Sequence, residues 1–241
     1  MPGTRDGSGR EVPPGSAIIP ILKAIGNKKF LVVGTGFYIT RYGLFATAAH
    51  VVTELTNPDR PSELYPSYVF DDDGETLLQR RIIKAAVSKV ADIALIQDEN
   101  GNPGRPPNRR VRLSLNCPKA GERLITFAYS ENDVLDFSDG APPSTLRGDF
   151  YEGRFERQVG PSEAPFVPYP HYETSIEIRG GASGCPISNE EGPGGRNCVP
   201  RMGFQRRRAR GKRPVICYTY ELLSISGRWL RATPARKMAG I

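Results

Sequence analysis

A hydroxyl, an imidazole and a carboxylate stand in this chain in settings that suit chemistry. Ser183 lies in RGGASGCPIS, residues 179–188, between glycines. Glycine on both sides of a serine means that the backbone takes angles other residues resist, or that something approaches the main chain closely. The same composition also makes an ordinary tight turn, since Gly, Ser and Pro are the commonest turn residues. His50 follows a run of small residues in GLFATAAHVV, which leaves an imidazole room, although a lone histidine there is as readily structural. Asp92 heads the apolar run ADIALIQD, as a turn or cap residue or as a buried carboxylate holding a partner. Together the three groups would suit nucleophilic catalysis. A serine hydroxyl attacks poorly at neutral pH unless an imidazole takes its proton, and the imidazole needs a carboxylate to fix its tautomer and stabilise its charge.

The elements that must position these groups read as strands. Of 241 residues, 26 are Gly and 22 Pro, so much of the chain is turn and loop. Short apolar or alternating runs recur between turn signals: AIIPILKA, KKFLVVGTGFYIT, GLFATAAHVV, ADIALIQD, ERLITFAYS, HYETSIEI and PVICYTYELL. A further run, SYVFDDDGETLLQRRIIKAAV, contains Asp73-Gly74, a hairpin-turn signal. No helical stripe exceeds about three turns, and no fixed-period repeat is present. The pattern predicts an all-β sandwich or barrel. Residues 1–16 are polar and rich in Gly and Pro and are expected to form a flexible arm. DENGNPGRPPNRR (98–110) reads as a loop between two lobes, and SENDVLDFSDGAPPSTLRG (130–148) as a surface excursion near a site.

Net charge is +7, but six basic side chains fall in one run, Arg206, Arg207, Arg208, Arg210, Lys212 and Arg213, and the rest of the chain is close to neutral. A solvated loop, a nucleic-acid-binding arm or a disturbed reading frame would each produce such a run. The absence of interleaved aromatics argues against a nucleic-acid partner. No window reaches the roughly 18 consecutive apolar residues of a membrane span, and the first residues carry no signal-peptide pattern, so a cytoplasmic protein without a membrane role is expected. The four cysteines form no C-x-x-C pair and there are only two histidines, so no metal site is expected.

Three motifs occur in one order: T-A-A-H ending at His50, D-I-A-L beginning at Asp92, and G-A-S-G-C-P around Ser183. They resemble the trypsin-like serine peptidases of the chymotrypsin fold, and the likeness extends from about residue 17 to 187. The resemblance implies two packed six-stranded antiparallel β-barrels, with lobes at about 17–105 and 106–230 of a domain spanning 17–241 and a basic loop at 205–213. It implies Ser183 as nucleophile, His50 as general base and acid, and Asp92 as the orienting acid. The oxyanion would be held by the backbone N–H groups of Gly181 and Ser183. A protein or peptide substrate is implied, and no cofactor.

The chain also departs from parts of that family. Val51 and Arg179 stand where secreted members carry cysteines, and Cys185 replaces the second motif glycine, where a small buried thiol is expected. These substitutions suit a reducing compartment. Ala182 stands where zymogen-activated members carry the Asp that pairs with a new N-terminus, so activation by N-terminal insertion is not expected; the closer likeness is to HtrA-type and other bacterial peptidase domains. Glu177, six positions before Ser183, falls at the base of the family's specificity pocket, where a carboxylate favours Arg or Lys before the cut bond; the alternation in TSIEI would equally turn it to solvent. The pocket wall would come from CVPRMGF or PVICYTY. A peptidase domain that has kept the fold but serves as a protein-binding module is the alternative reading, and an esterase is a further one within the hydrolases.

Overall fold

The computed structural model describes residues 15–53, 80, 82–88, 91–99, 110, 111, 113, 117–131, 133–139, 146–160, 163 and 169–189, and for backbone pairing alone residues 4–5, 11–12, 14, 64–66, 201–204, 215–218 and 230–231. The Asp73-Gly74 turn, most of the 98–110 loop and the basic run at 205–213 lie outside the described residues.

Alternating and short apolar runs become strands, in this order: β1 (Thr4–Arg5), β2 (Glu11–Val12), β3 (Ile18–Gly26), β4 (Lys29–Tyr38), β5 (Leu44–Thr47), the one-turn helix α1 (Ala49–Val52), β6 (Leu64–Pro66), β7 (Ile82–Val87), β8 (Ala94–Asp98), β9 (Arg123–Ala128), β10 (Leu135–Asp136), β11 (Asp149–Val159), β12 (His171–Thr174), β13 (Pro186–Asn189), β14 (Arg201–Phe204), β15 (Val215–Tyr218) and β16 (Leu230–Arg231). Within the expected arm, β1 pairs with β2, and Pro14–Ser16 makes a 3-10 turn that leads into β3. No helix among the described residues is long and apolar enough to cross a membrane.

Strands β9, β11, β12, β15, β14 and β13 close into a six-stranded antiparallel barrel. The first lobe differs from the six-stranded expectation. Its described strands form an eight-stranded antiparallel sheet in the order β16-β7-β8-β5-β4-β3-β6, with β10 added on β4. The extra strands come from far along the chain: Leu135 pairs with Phe30, and Leu230 with Ala85. Each covers main-chain groups that an edge would leave exposed. The 130–148 segment is therefore pinned to the first lobe through β10, whose Leu135 is buried.

Two apolar clusters sit beneath these strands. One gathers Ile18, Ile21, Phe37, Phe45, Ile93 and Ile96 with Tyr129 and Leu135; the other gathers Leu124, Phe155, Tyr172, Ile176, Ile178, Ala182, Cys185 and Ile187. Strand β8 explains the unbroken run in ADIALIQD: Ala94, Leu95, Ile96 and Asp98 are all buried, so both faces of the strand are covered. The two segments offered for a pocket wall become the adjacent strands β14 and β15, where Met202 pairs with Tyr218 and Phe204 with Ile216.

Candidate active site

His50 is placed by the smallness of what precedes it. Ala48 and Ala49 are buried, and Thr47 turns its hydroxyl inward to donate to the Thr35 carbonyl at 2.8 Å, so β5 runs tightly into α1 and the imidazole emerges exposed at the end of the strand. Asp92 lies in the turn before β8, which is closed by the Ser88 N–H donating to the Ile93 carbonyl at 2.9 Å. Both oxygens of its carboxylate are engaged by the histidine. Oδ1 accepts the His50 backbone N–H at 2.8 Å, and Oδ2 stands 2.6 Å from Nδ1 of the ring. A carboxylate can only accept, so the proton of a neutral His50 belongs on Nδ1 and Nε2 keeps its lone pair. The imidazole is about half exposed and the carboxylate about one-fifth, so the pair lines an open surface.

Ser183 sits on a double turn. The Ala182 N–H donates to the Arg179 carbonyl at 3.2 Å, and the Cys185 N–H to the Ala182 carbonyl at 3.0 Å, closing 179–182 and then 182–185. The third residue of each turn is a glycine with positive φ, +93° at Gly181 and +89° at Gly184, as a type II turn requires. The glycine spacing around the serine is thus the spacing of two consecutive turns. Neither the Gly181 nor the Ser183 N–H donates to a group among the described residues.

This turn is docked on the first lobe beside His50. The Thr35 N–H donates to the Ser183 carbonyl at 2.8 Å. A Cβ on Gly184 would stand 2.3 Å from the Thr35 carbonyl oxygen, 2.3 Å from Thr47 Oγ1 and 2.8 Å from the Ala48 nitrogen, so the residue after Ser183 is wedged against the strand that delivers His50. A Cβ on Gly34 would meet both Val51 methyls and the Ser183 carbonyl, which brings the residue after His50 and the serine to one spot. The Thr35 hydroxyl completes the joint, donating to the Gly181 carbonyl at 3.0 Å and accepting the Tyr129 N–H at 3.1 Å. Thr35 escapes a reading of the sequence alone; its one local signal is the Gly-Thr-Gly at 34–36, where the lobes touch.

Two other expectations concern single side chains. Cys185 is fully buried and unpaired, and burial pushes its thiol up to about 11, so it remains a neutral packing group at physiological pH. Glu177 is exposed between Ile176 and Ile178, both of which enter the second core, a placement that matches the solvent-facing alternative.

The trypsin-like peptidase domain family matches residues 34–193, which contain His50, Asp92 and Ser183. Among curated proteins, none matches the chain by sequence. Among solved structures, Deg5 superposes with a TM-score of 0.57 at 16% identity, over 80% of this chain and 80% of its own. Rv3671c from M. tuberculosis H37Rv, a serine-to-alanine mutant in an inactive form, superposes with a TM-score of 0.54 at 15% identity, over 85% of this chain and 82% of its own. At such identities the likeness is one of fold. The family match covers well over half of the chain, which therefore belongs to the trypsin-like peptidase domain family, with the chymotrypsin fold.

Proposed function

We propose that the chain is a serine endopeptidase acting through Ser183, His50 and Asp92. The observation that carries this reading is the double contact between Asp92 and His50, made next to a turn that holds Ser183 against the strand leading into that histidine. In the reaction, Ser183 Oγ adds to the scissile carbonyl carbon while His50 Nε2 takes its proton. Asp92 holds the ring and offsets its positive charge. The carbonyl oxygen, now an oxyanion, takes hydrogen bonds from the Gly181 and Ser183 N–H groups, a contribution of about 3 to 4 kcal/mol per donor in such sites. Collapse expels the amine, which receives the proton from Nε2, and water then releases the acyl group by the same steps in reverse roles. Ala182 is buried in the second core, so the turn takes its shape without a carboxylate at that position.

The test is labelling with a fluorophosphonate, read by intact mass, on wild type, Ser183→Ala and His50→Ala. Labelling confined to wild type supports an activated Ser183. A folded wild type that does not label overturns the proposal and favours a peptidase fold used as a protein-binding module.

A further inference from the structure

The peptide joining Gly180 to Gly181 has a glycine at each end, and a Cβ on Gly180 would meet nothing within 4 Å. Little in the turn itself therefore resists rotation of this peptide plane. Type I and type II turns differ by just such a rotation, which reverses where the central carbonyl and N–H point. A trans peptide aims its C=O and N–H in opposite directions, so whatever holds the Gly180 carbonyl also aims the Gly181 N–H. The holder here is Glu131, whose backbone N–H donates to the Gly180 carbonyl at 3.0 Å. The Thr35 hydroxyl grips the next carbonyl, that of Gly181, and leaves the 180–181 peptide to Glu131.

Glu131 is itself in an uncommon state. Its φ is +50°, in the left-handed region that a residue with a Cβ enters at a cost. Its side chain meets Arg179, at the start of the same turn, in a hydrogen-bonded ion pair between Oε2 and Nη1. The segment after β9 and the turn before Ser183 are thus tied twice by one residue, main chain to Gly180 and side chain to Arg179. We propose that Glu131, with Arg179, is a positioning residue that fixes the orientation of the 180–181 peptide and so aims the Gly181 N–H for oxyanion binding. This rests on the peptidase reading for its catalytic consequence, but the orienting contact can be tested without turnover.

The test compares Glu131→Lys, Arg179→Glu and the double reversal Glu131→Lys/Arg179→Glu. An exposed ion pair shifts an equilibrium by only a few-fold, and reversing one charge adds repulsion to the loss, so each single variant is expected to lower kcat by about five- to tenfold. Affinity for a peptide aldehyde, which forms an oxyanion on Ser183, should fall in parallel, while KM and Tm stay near wild type. The double reversal should recover to within about twofold. Singles at wild-type kcat, or a double no better than its singles, would overturn the proposal. Through-hydrogen-bond scalar coupling from the Glu131 nitrogen to the Gly180 carbonyl carbon reads the same contact directly. Coupling present in wild type, lost in each single and regained in the double supports the proposal; its absence in wild type, or persistence in both singles, overturns it. The expected coupling pattern in a protein that fails to label with fluorophosphonate would sink the peptidase reading while supporting the orienting contact.

Discussion

The hydroxyl of Thr35 donates to the carbonyl oxygen of Gly181 at 3.0 Å while accepting the Tyr129 N–H at 3.1 Å, so one buried side chain joins the first lobe to the turn before Ser183. Replacing it with Val keeps the shape but strands the buried Tyr129 N–H, at about 1 to 3 kcal/mol, and the partly buried Gly181 C=O, at less. Thr35→Val is expected to lower Tm by several degrees and kcat by at least tenfold. Thr35→Ser keeps the hydroxyl and should stay within about threefold of wild type. Thermal melts and ester hydrolysis on the two variants check this, and equal losses in both would assign the effect to the methyl group.

The two contacts of Asp92 make distinct predictions for Asn and Ala. Asp92→Asn keeps an oxygen for the His50 backbone N–H but turns an NH₂ toward Nδ1, which forces the ring proton to Nε2. The ring is then in place but in the wrong tautomer, and kcat should fall by about 10⁴-fold with KM little changed. Asp92→Ala also frees the ring and the backbone N–H, so His50 loses its orientation. Nitrogen chemical shifts of the His50 ring at neutral pH would report the tautomer; a protonated Nδ1 in Asp92→Asn would contradict this account.

What is legible in the sequence follows from how local each requirement is. T-A-A-H, D-I-A-L and G-A-S-G can be read because a small residue beside His50, an acid at a strand mouth and glycines at the third position of each turn are needs of consecutive residues. The partners of Thr35 lie 94 and 146 positions away, so nothing in its own neighbourhood announces them. Strands β10 and β16 are two residues each, too short to carry a period, and only their pairing with β4 and β7 makes them strands. The eight-stranded first lobe is invisible for that reason, and β11 goes unread as well, because most of its residues are exposed and no clean alternation marks a core face. Glu131 is hidden for a third reason: its backbone N–H, available to any residue but Pro, makes the contact, and its identity matters only through Arg179.

At Gly184 the limit is steric. An added Cβ would stand 2.3 Å from the Thr35 carbonyl oxygen and 2.8 Å from the Ala48 nitrogen, both main-chain atoms, and the φ of +89° is strained for any other residue. Gly184→Ala should push the Ser183 turn off the first lobe, abolish fluorophosphonate labelling and lower Tm. Gly180→Ala meets no atom within 4 Å and serves as the contrast, with a Tm close to wild type. A Gly184→Ala protein that labels at the wild-type rate would show that the docking of the turn is looser than these distances require.

Glu177 separates charge at a distance from charge in a pocket. Its side chain is exposed and its neighbours Ile176 and Ile178 point into the core, so its influence on a basic substrate passes through solvent. Glu177→Gln should change the kcat/KM preference for Arg over Leu before the cut bond by less than about fivefold. A hundredfold fall would put the carboxylate at the pocket base after all. Raising the salt concentration should remove the smaller effect and leave the larger one largely intact.

Asp98 is fully buried at the far end of β8 from Asp92, accepting the Tyr38 hydroxyl at 2.5 Å, with Arg80 Nη1 3.4 Å away and Oδ1 without a hydrogen-bond partner among the described residues. Burial raises its pKa above the ordinary carboxylate value, against the lowering effects of Tyr38 and Arg80. The folded protein therefore holds this proton to a higher pH than the unfolded chain does. The stability contributed by the group is fully present below the unfolded pKa and is lost as pH rises through the raised folded one. Asn at 98 cannot titrate, so the Tm of wild type minus that of Asp98→Asn should be flat at the acid end and fall as pH rises from about 4 toward neutrality. A difference that instead grows in favour of wild type over that range would mean that Arg80 and Tyr38 outweigh burial and that the carboxylate is stabilised as the anion. The direction of that one slope decides between the two.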